Sequence, residues 1–303
     1  MGAGDVLPPW RGHQLDAGPF RLHVRRAGPA ATDADVAVLV HGLGGASTNW
    51  TDLMGELRDR LDLWAPDLPG FGRSDPPPGG DYRPAAHADA VAALIEAVGA
   101  PVHLVGNSLG GAVVTRVAAL RPELVRTLTL VSPAFPTYRP RRTNIHLPAI
   151  AVPGVGEVLM RRFARVPAEH RVAASLRAMY ADPAVVPPQR VAEAVAELER
   201  RSGLGHADLA VLASLRGLLA EQLRPGETSP WRLARRVHAP TLVIHGDRDG
   251  IIPLPTGRRV ARTIPGSRLV VLPRCGHVAQ MERPREVARL VAEHAGLGVA
   301  SSY

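Results

Sequence analysis

The sequence predicts an α/β fold, a mostly parallel, doubly wound sheet interrupted by one helical insertion. Three observations predict it. Short apolar, β-branched runs recur along the chain, and several are apolar without a break, as parallel strands covered on both faces should be. Segments of helical periodicity separate them, so strand and helix alternate. The alternation stops after Pro133 and resumes at Thr241.

Taken in order, strands are expected in RLHVRRA from Arg21, VAVLVH from Val36, LDLWAPDL from Leu61, VHLVGN from Val102, TLTLVSP from Thr127, PTLVIHGD from Pro240 and RLVVLP from Arg268. Helical spacing fits Asp52 to Leu61, Ala86 to Val98, Leu109 to Leu120, Thr256 to Ile264 and Pro284 to Ala295. DPPPGGDYRP reads as a loop. The interruption holds helical stretches at Val155 to Phe163, Glu169 to Tyr180, Gln189 to Arg200 and Asp208 to Gln222, and no clear strand. The core is therefore expected over 1–133 and 234–303. The insertion, 134–233, is expected as a cap over the ligand-binding end of the sheet.

An apolar content of 46% is ample for a packed core and argues against global disorder. The net charge of +8 is carried by arginine alone, since the chain has no lysine. Between Ala134 and Arg236 stand 16 Arg and 9 acidic residues, which leaves the rest close to neutral. With few aromatics and no nucleic-acid motif, this reads as solvated helix faces, or as a basic rim for anionic substrates, and not as a nucleic-acid surface. The lone Cys275 excludes an intrachain disulfide and Cys-rich metal ligation, so no metal and no cofactor are expected. MGAGDVLPPW lacks the features of a secretory signal, and no apolar run is long enough to span a bilayer. The expectation is a cytoplasmic monomer or homodimer without stable membrane insertion.

Chemistry is carried by four motifs. Gly106-Asn107-Ser108-Leu109-Gly110 fits the G-x-S-x-G nucleophile elbow at a strand-to-helix turn. Strain there projects a serine hydroxyl above the sheet, and the helix N-terminus favours negative charge beside it. HGLGG, His41 to Gly45, follows a strand. Together with the elbow it offers two oxyanion donors, the N–H groups of Leu43 and Leu109, and His41 reads as a loop brace. HGDRDGIIP, from His245, supplies Asp249 as the acid that orients a histidine, with Asp247 as a turn residue. RCGHVAQMERP, from Arg274, supplies His277 as general base, and Cys275 reads as packing.

The order Ser108, Asp249, His277 and the further stretch APDLPGFGRSD, Ala65 to Asp75, resemble the α/β-hydrolase superfamily over nearly the whole chain. The resemblance implies the α/β-hydrolase fold and an acyl-enzyme route. Ser108 differs from the aspartate at the elbow of haloalkane dehalogenases and epoxide hydrolases, and the Gly-Gly-Ser-Trp-Gly elbow of prolyl iminopeptidases is absent. The expected substrate is a small-to-medium apolar carboxylic ester. GNSLGG and CGHVAQMERP also resemble the carbon–carbon bond hydrolases of ring-cleavage pathways. Those usually carry a Gly-Pro-Gly type loop and Trp after the histidine, where this chain has Gly42-Leu43-Gly44-Gly45 and Val278. A third reading is a non-catalytic ligand-binding protein. Trp50 and Phe135, just beyond the two site loops, are expected to line the pocket or, equally, to pack. Ile150, Val155, Val158, Leu159, Phe163, Leu176, Met179 and Tyr180 either face the substrate or pack the cap.

Overall fold

A computed structural model describes residues 6–29, 34–99, 101–137, 147–223 and 225–298. The eight strands are β1 (Gly12–Ala17), β2 (Phe20–Ala27), β3 (Val36–Val40), β4 (Asp62–Pro66), β5 (Val102–Asn107), β6 (Val125–Val131), β7 (Thr241–Gly246) and β8 (Arg268–Leu272). They form one sheet in the order β1-β2-β4-β3-β5-β6-β7-β8. Only β2 runs against its neighbours; β3 to β8 are parallel with β4. All seven expected strands are present. β1 is the addition, an edge strand with mostly exposed side chains that never shows an apolar run. It is held by a hairpin register to β2.

Alternate residues of the central strands feed two cores. Val38, Val40 and Leu104 face α2 (Pro84–Val98) and α3 (Leu109–Leu120). Ala37, Leu39 and Val105 face α1 (Thr51–Leu57) and, through Val287, Leu290 and Val291, the last helix of the chain, below. β5 and β7 are buried at every position, the signature of parallel strands sandwiched between helices.

Between β6 and β7 the described chain is helical: α4 (Leu147–Ala151), α5 (Val155–Ala164), α6 (Ala168–Met179), α7 (Pro188–Ser202), α8 (Ala207–Leu223) and α9 (Pro230–Arg235). α10 (Leu254–Thr263), α11 (Ala279–Glu282) and α12 (Pro284–His294) complete the fold. The boundary expected at 233 falls inside α9. Leu233 and Ala234 are buried with the sheet core, and Trp231 stacks on Phe135 with centroids 5.0 Å apart, so this helix packs as core. α7 is tied down by Arg190, which reaches Asp52 of α1 at 2.6 Å.

Candidate active site

After β3 the chain adds β4 on one side, then crosses to place β5 on the other. Such a reversal opens a crevice at the carboxyl ends of the two central strands. The His41–Gly45 loop leaves β3 there, and Ser108 leaves β5. Asp249 follows β7 and His277 follows β8 on the same edge of the parallel sheet.

Ser108 sits at φ 54° and ψ −118°, a conformation that strains any residue with a Cβ. Its glycine neighbours explain how the turn is packed. A Cβ on Gly110 would lie 2.2 Å from the carbonyl oxygen of Val40, and one on Gly106 2.5 Å from that of Gly110. A Cβ on Gly42 would come within 3.0 Å of the Ser108 Cβ, so the loop that carries Leu43 runs directly beside the serine. Leu109 opens α3, where backbone N–H groups have no intrahelical acceptor. His41 is buried, with Nδ1 donating to the Gly42 carbonyl (2.8 Å) and Nε2 accepting the Leu68 N–H (2.9 Å). Accepting at Nε2 needs the neutral ring, and burial holds its pKa below the usual histidine value. His41 is thus bonded within the loop it was expected to brace.

His277 Nδ1 donates to Asp249 Oδ2 at 2.9 Å, and both residues are buried. The other oxygen, Oδ1, accepts the N–H groups of Ile251 (2.8 Å) and Ile252 (2.9 Å). Burial pushes the Asp249 carboxyl up. The charge and hydrogen bond of His277, the charge of His245 and the Ile252 N–H outweigh it and hold the pKa at about 2. His245 Nε2 bonds to the Ile252 carbonyl oxygen (3.0 Å) and stands 3.4 Å from Asp249 Oδ2. Asp247 is exposed, and its carboxylate accepts the Cys275 N–H at 3.4 Å. Cys275 is buried in the core, with its thiol pushed up to about 12, so it carries no thiolate near neutrality.

The two expected pocket residues are placed otherwise. Trp50 is 0% exposed, packed with Leu53, Met54 and Leu57 under the sheet. Phe135 is 1% exposed against Trp231. As packed, neither ring offers surface to a ligand: each follows its loop directly into the core. Among the described residues no group of three or more His, Cys, Asp or Glu could hold a metal ion. A separate cavity of about 640 Å³, lined in part by His13, Arg25, Arg73 and Arg200, contains none of the residues of this crevice.

Sequence reasoning left four contributors unassigned. Asn107 Nδ2 donates to the carbonyl oxygens of Val131 (3.0 Å) and His277 (3.2 Å), which ties the elbow to the histidine loop. The His277 N–H donates to the Met179 carbonyl oxygen (2.6 Å), so the insertion touches that loop. Glu282 Oε2 accepts the N–H of Gly276 (2.7 Å) and of Ala181 (3.3 Å), one from each side of this contact. A Cβ on Gly276 would lie 2.3 Å from Met179 O, so only glycine fits. Arg201 Nη1 donates to the Gly44 carbonyl oxygen (2.6 Å) and makes no ion pair among the described residues. Burial lowers its pKa; the charge of Glu197 opposes this, and the like charges of Arg171 and Arg200 add to it. Sequence signals existed only for Asn107 and Glu282, which lie within motifs; the partners of Arg201 and Met179 are long-range.

Glu282→Ala should leave two N–H groups without an acceptor at the histidine loop. It should lower unfolding stability by about 2 kcal/mol, read from urea denaturation, while Glu282→Gln recovers most of the loss.

Residues 36–284 match the family described as the alpha/beta hydrolase fold. The chain belongs to the α/β-hydrolase family. This α/β hydrolase is 30% identical over 287 residues to a 2-hydroxymuconate semialdehyde hydrolase of Pseudomonas putida, with 92% of each chain covered. Its structure matches that of a thermophilic esterase from Thermogutta terrifontis with a TM-score of 0.71 and 26% identity, over 93% of this chain and 97% of the esterase. The fold is also that of a 2-hydroxy-6-oxo-6-phenylhexa-2,4-dienoate hydrolase from Rhodococcus sp. strain RHA1, with a TM-score of 0.78, 24% identity, and 94% and 98% of the two chains covered. Among the described residues no helix is long and apolar enough to cross a membrane. The family makes the chain a hydrolase, and its relatives differ in the substrates their names give.

Proposed function

We propose that the protein is a serine hydrolase working through an acyl-enzyme at Ser108. One observation carries the reading: the His277–Asp249 pair, bonded at 2.9 Å, is tied through Asn107 to a serine held at positive φ on the N-terminus of α3. His277 Nε2 takes the hydroxyl proton as Ser108 Oγ bonds to a carbonyl carbon, and the Leu43 and Leu109 N–H groups receive the developing oxyanion. Collapse breaks the bond to the leaving group, which takes the proton back from His277. Water then deacylates the serine with His277 again as base. Asp249 keeps His277 in the tautomer with Nδ1–H and stabilises its charged form.

The substrate reading we favour is an acidic ring-fission product, a conjugated keto acid cleaved at the carbon–carbon bond beside its keto group. Collapse then sends the electron pair into the conjugated chain, which is protonated from His277. Support comes from the similarity to the 2-hydroxymuconate semialdehyde hydrolase and from Arg201 of α7, a cation without an ion pair among the described residues that is bonded to Gly44 of the loop carrying Leu43. A carboxylic ester is the second reading, favoured by Val278 in place of tryptophan and by the likeness to the Thermogutta terrifontis esterase.

The two are separated by assaying 2-hydroxymuconate semialdehyde and 4-nitrophenyl butyrate side by side. Arg201→Ala should raise KM for the acidic substrate about tenfold or more, the worth of one charge-assisted contact. It should leave ester kcat/KM within a few-fold. Equal losses on both would assign Arg201 to bracing Gly44, and turnover of the ester alone would select the second reading.

A further inference from the structure

The insertion presents a face that this chemistry does not use. On α5 and the residues just after it, Val155, Leu159, Phe163 and Val166 follow at steps of four, four and three, the spacing of a single helical face. That face points to solvent. Val155 is 46% exposed, Leu159 39%, Phe163 43% and Val166 37%, with Val158 beside them at 44%. Val155, Val158, Leu159 and Phe163, expected to line a pocket or pack the insertion, keep this much of their surface open, with the Arg171 guanidinium covering one face of the Phe163 ring at 4.9 Å. The residue of α5 that is buried is Gly156, where an added Cβ would lie 2.1 Å from the Ile150 carbonyl oxygen. The helix is seated by its glycine and turns its apolar stripe outward, the reverse of an ordinary surface helix.

The charge left unpaired along this segment has one sign. Arg161, Arg162 and Arg165 are exposed beside the stripe and make no ion pair with a described residue. The one carboxylate of α5, Glu157, is engaged by Arg216 (2.8 Å) and by the N–H of Gly154 (2.7 Å). What remains is an apolar surface flanked by arginines with no free acid on the same helix. We propose that this face docks on an anionic lipid bilayer, with α5 lying in the headgroup plane, its apolar side chains reaching the acyl boundary and its arginines on lipid phosphates. A second copy of the chain fits less well, since pairing two such faces would oppose like charges. Docking would bring the insertion, which contacts the His277 loop, to a surface where apolar compounds accumulate.

The test is co-sedimentation of the whole protein with vesicles of equimolar phosphatidylglycerol and phosphatidylcholine, against vesicles of phosphatidylcholine alone. Binding is expected on the anionic vesicles and should fall steeply with added salt. Val155→Ser combined with Leu159→Ser should weaken partitioning about a hundredfold. Arg161→Glu combined with Arg162→Glu should remove the preference for the anionic vesicles. Both variants should keep wild-type circular dichroism and wild-type turnover of a soluble substrate. Failure of the wild type to sediment with anionic vesicles, or equal sedimentation by the Val155/Leu159 variant, would overturn the proposal. So would a concentration-dependent dimer in sedimentation velocity that this variant dissolves without any vesicle binding, because the face would then be an interface between copies.

Discussion

Ser108→Ala should fold normally and lose about five orders of magnitude in kcat, the size of effect that nucleophile removal has in serine hydrolases. The alanine keeps the Cβ, so it inherits the same positive φ and the same contact of that Cβ with Gly42. Stability is therefore expected to stay within about 0.5 kcal/mol of wild type. On the proposed mechanism the activity loss follows because the remaining groups, the Leu43 and Leu109 N–H groups and His277, have no oxygen to which they can direct an acyl group. A fluorophosphonate probe should add one equivalent of mass to wild type and none to the variant. Ser108→Gly sharpens the test, because it removes the Cβ that the backbone conformation disfavours. It should be inactive yet more stable than Ser108→Ala by about 1 kcal/mol, measured by thermal or urea unfolding. An inactive, stabilised glycine variant would mean that the strain at this turn is retained for catalysis. Residual turnover of more than a few per cent in Ser108→Ala would remove the acyl-enzyme from the mechanism and leave direct attack by water.

How far the sequence leads is set by the range of the interactions involved. The elbow is local: Gly106, Ser108 and Gly110 occupy one strand-to-helix turn, and the clashes that demand glycine there follow from backbone geometry alone. β3, β5 and β7 are equally legible because each is built around Val, Leu or Ile and bounded by turn residues. β1 was not, since an exposed edge strand with the pattern GHQLDA has neither an apolar run nor strict alternation. Trp50 and Phe135 show a second limit. Standing after a motif places a residue near the crevice, but the side of the backbone on which its ring falls is decided by tertiary packing, and both rings turn into the core. α5 shows a third. Its periodicity reads correctly as a helix, yet periodicity identifies an apolar stripe without saying whether anything covers it. The Met179–His277 and Arg201–Gly44 contacts join residues far apart in sequence through a backbone carbonyl, which has no sequence signature at all.

Asp249→Asn should lower kcat by about 10⁴ while leaving KM little changed, and the reason lies in which oxygen does what. Oδ1 accepts two backbone N–H groups, from Ile251 and Ile252, and an amide nitrogen cannot replace it there. The asparagine oxygen must therefore keep that position, which points its NH₂ at His277 Nδ1. A donor facing Nδ1 forces the ring into the tautomer protonated on Nε2, and that ring cannot take the serine proton. The same substitution should change the acid limb of the stability curve. A carboxyl lowered from 3.8 in the unfolded chain to about 2 in the fold adds about 2 kcal/mol above the unfolded value, and gives this up as pH falls through about 2. The variant has no such carboxyl, so between pH 5 and pH 2 its melting temperature should fall less steeply than that of wild type. Asp67, likewise held at about 2 with His23 bonded at 2.9 Å, remains in both proteins and leaves a shared part of the acid transition. A variant that loses activity but keeps the wild-type slope would show that the Asp249 carboxylate matters to the histidine and not to the fold. Full activity in the variant would remove Asp249 from the site, with Asp247 the next carboxylate to test.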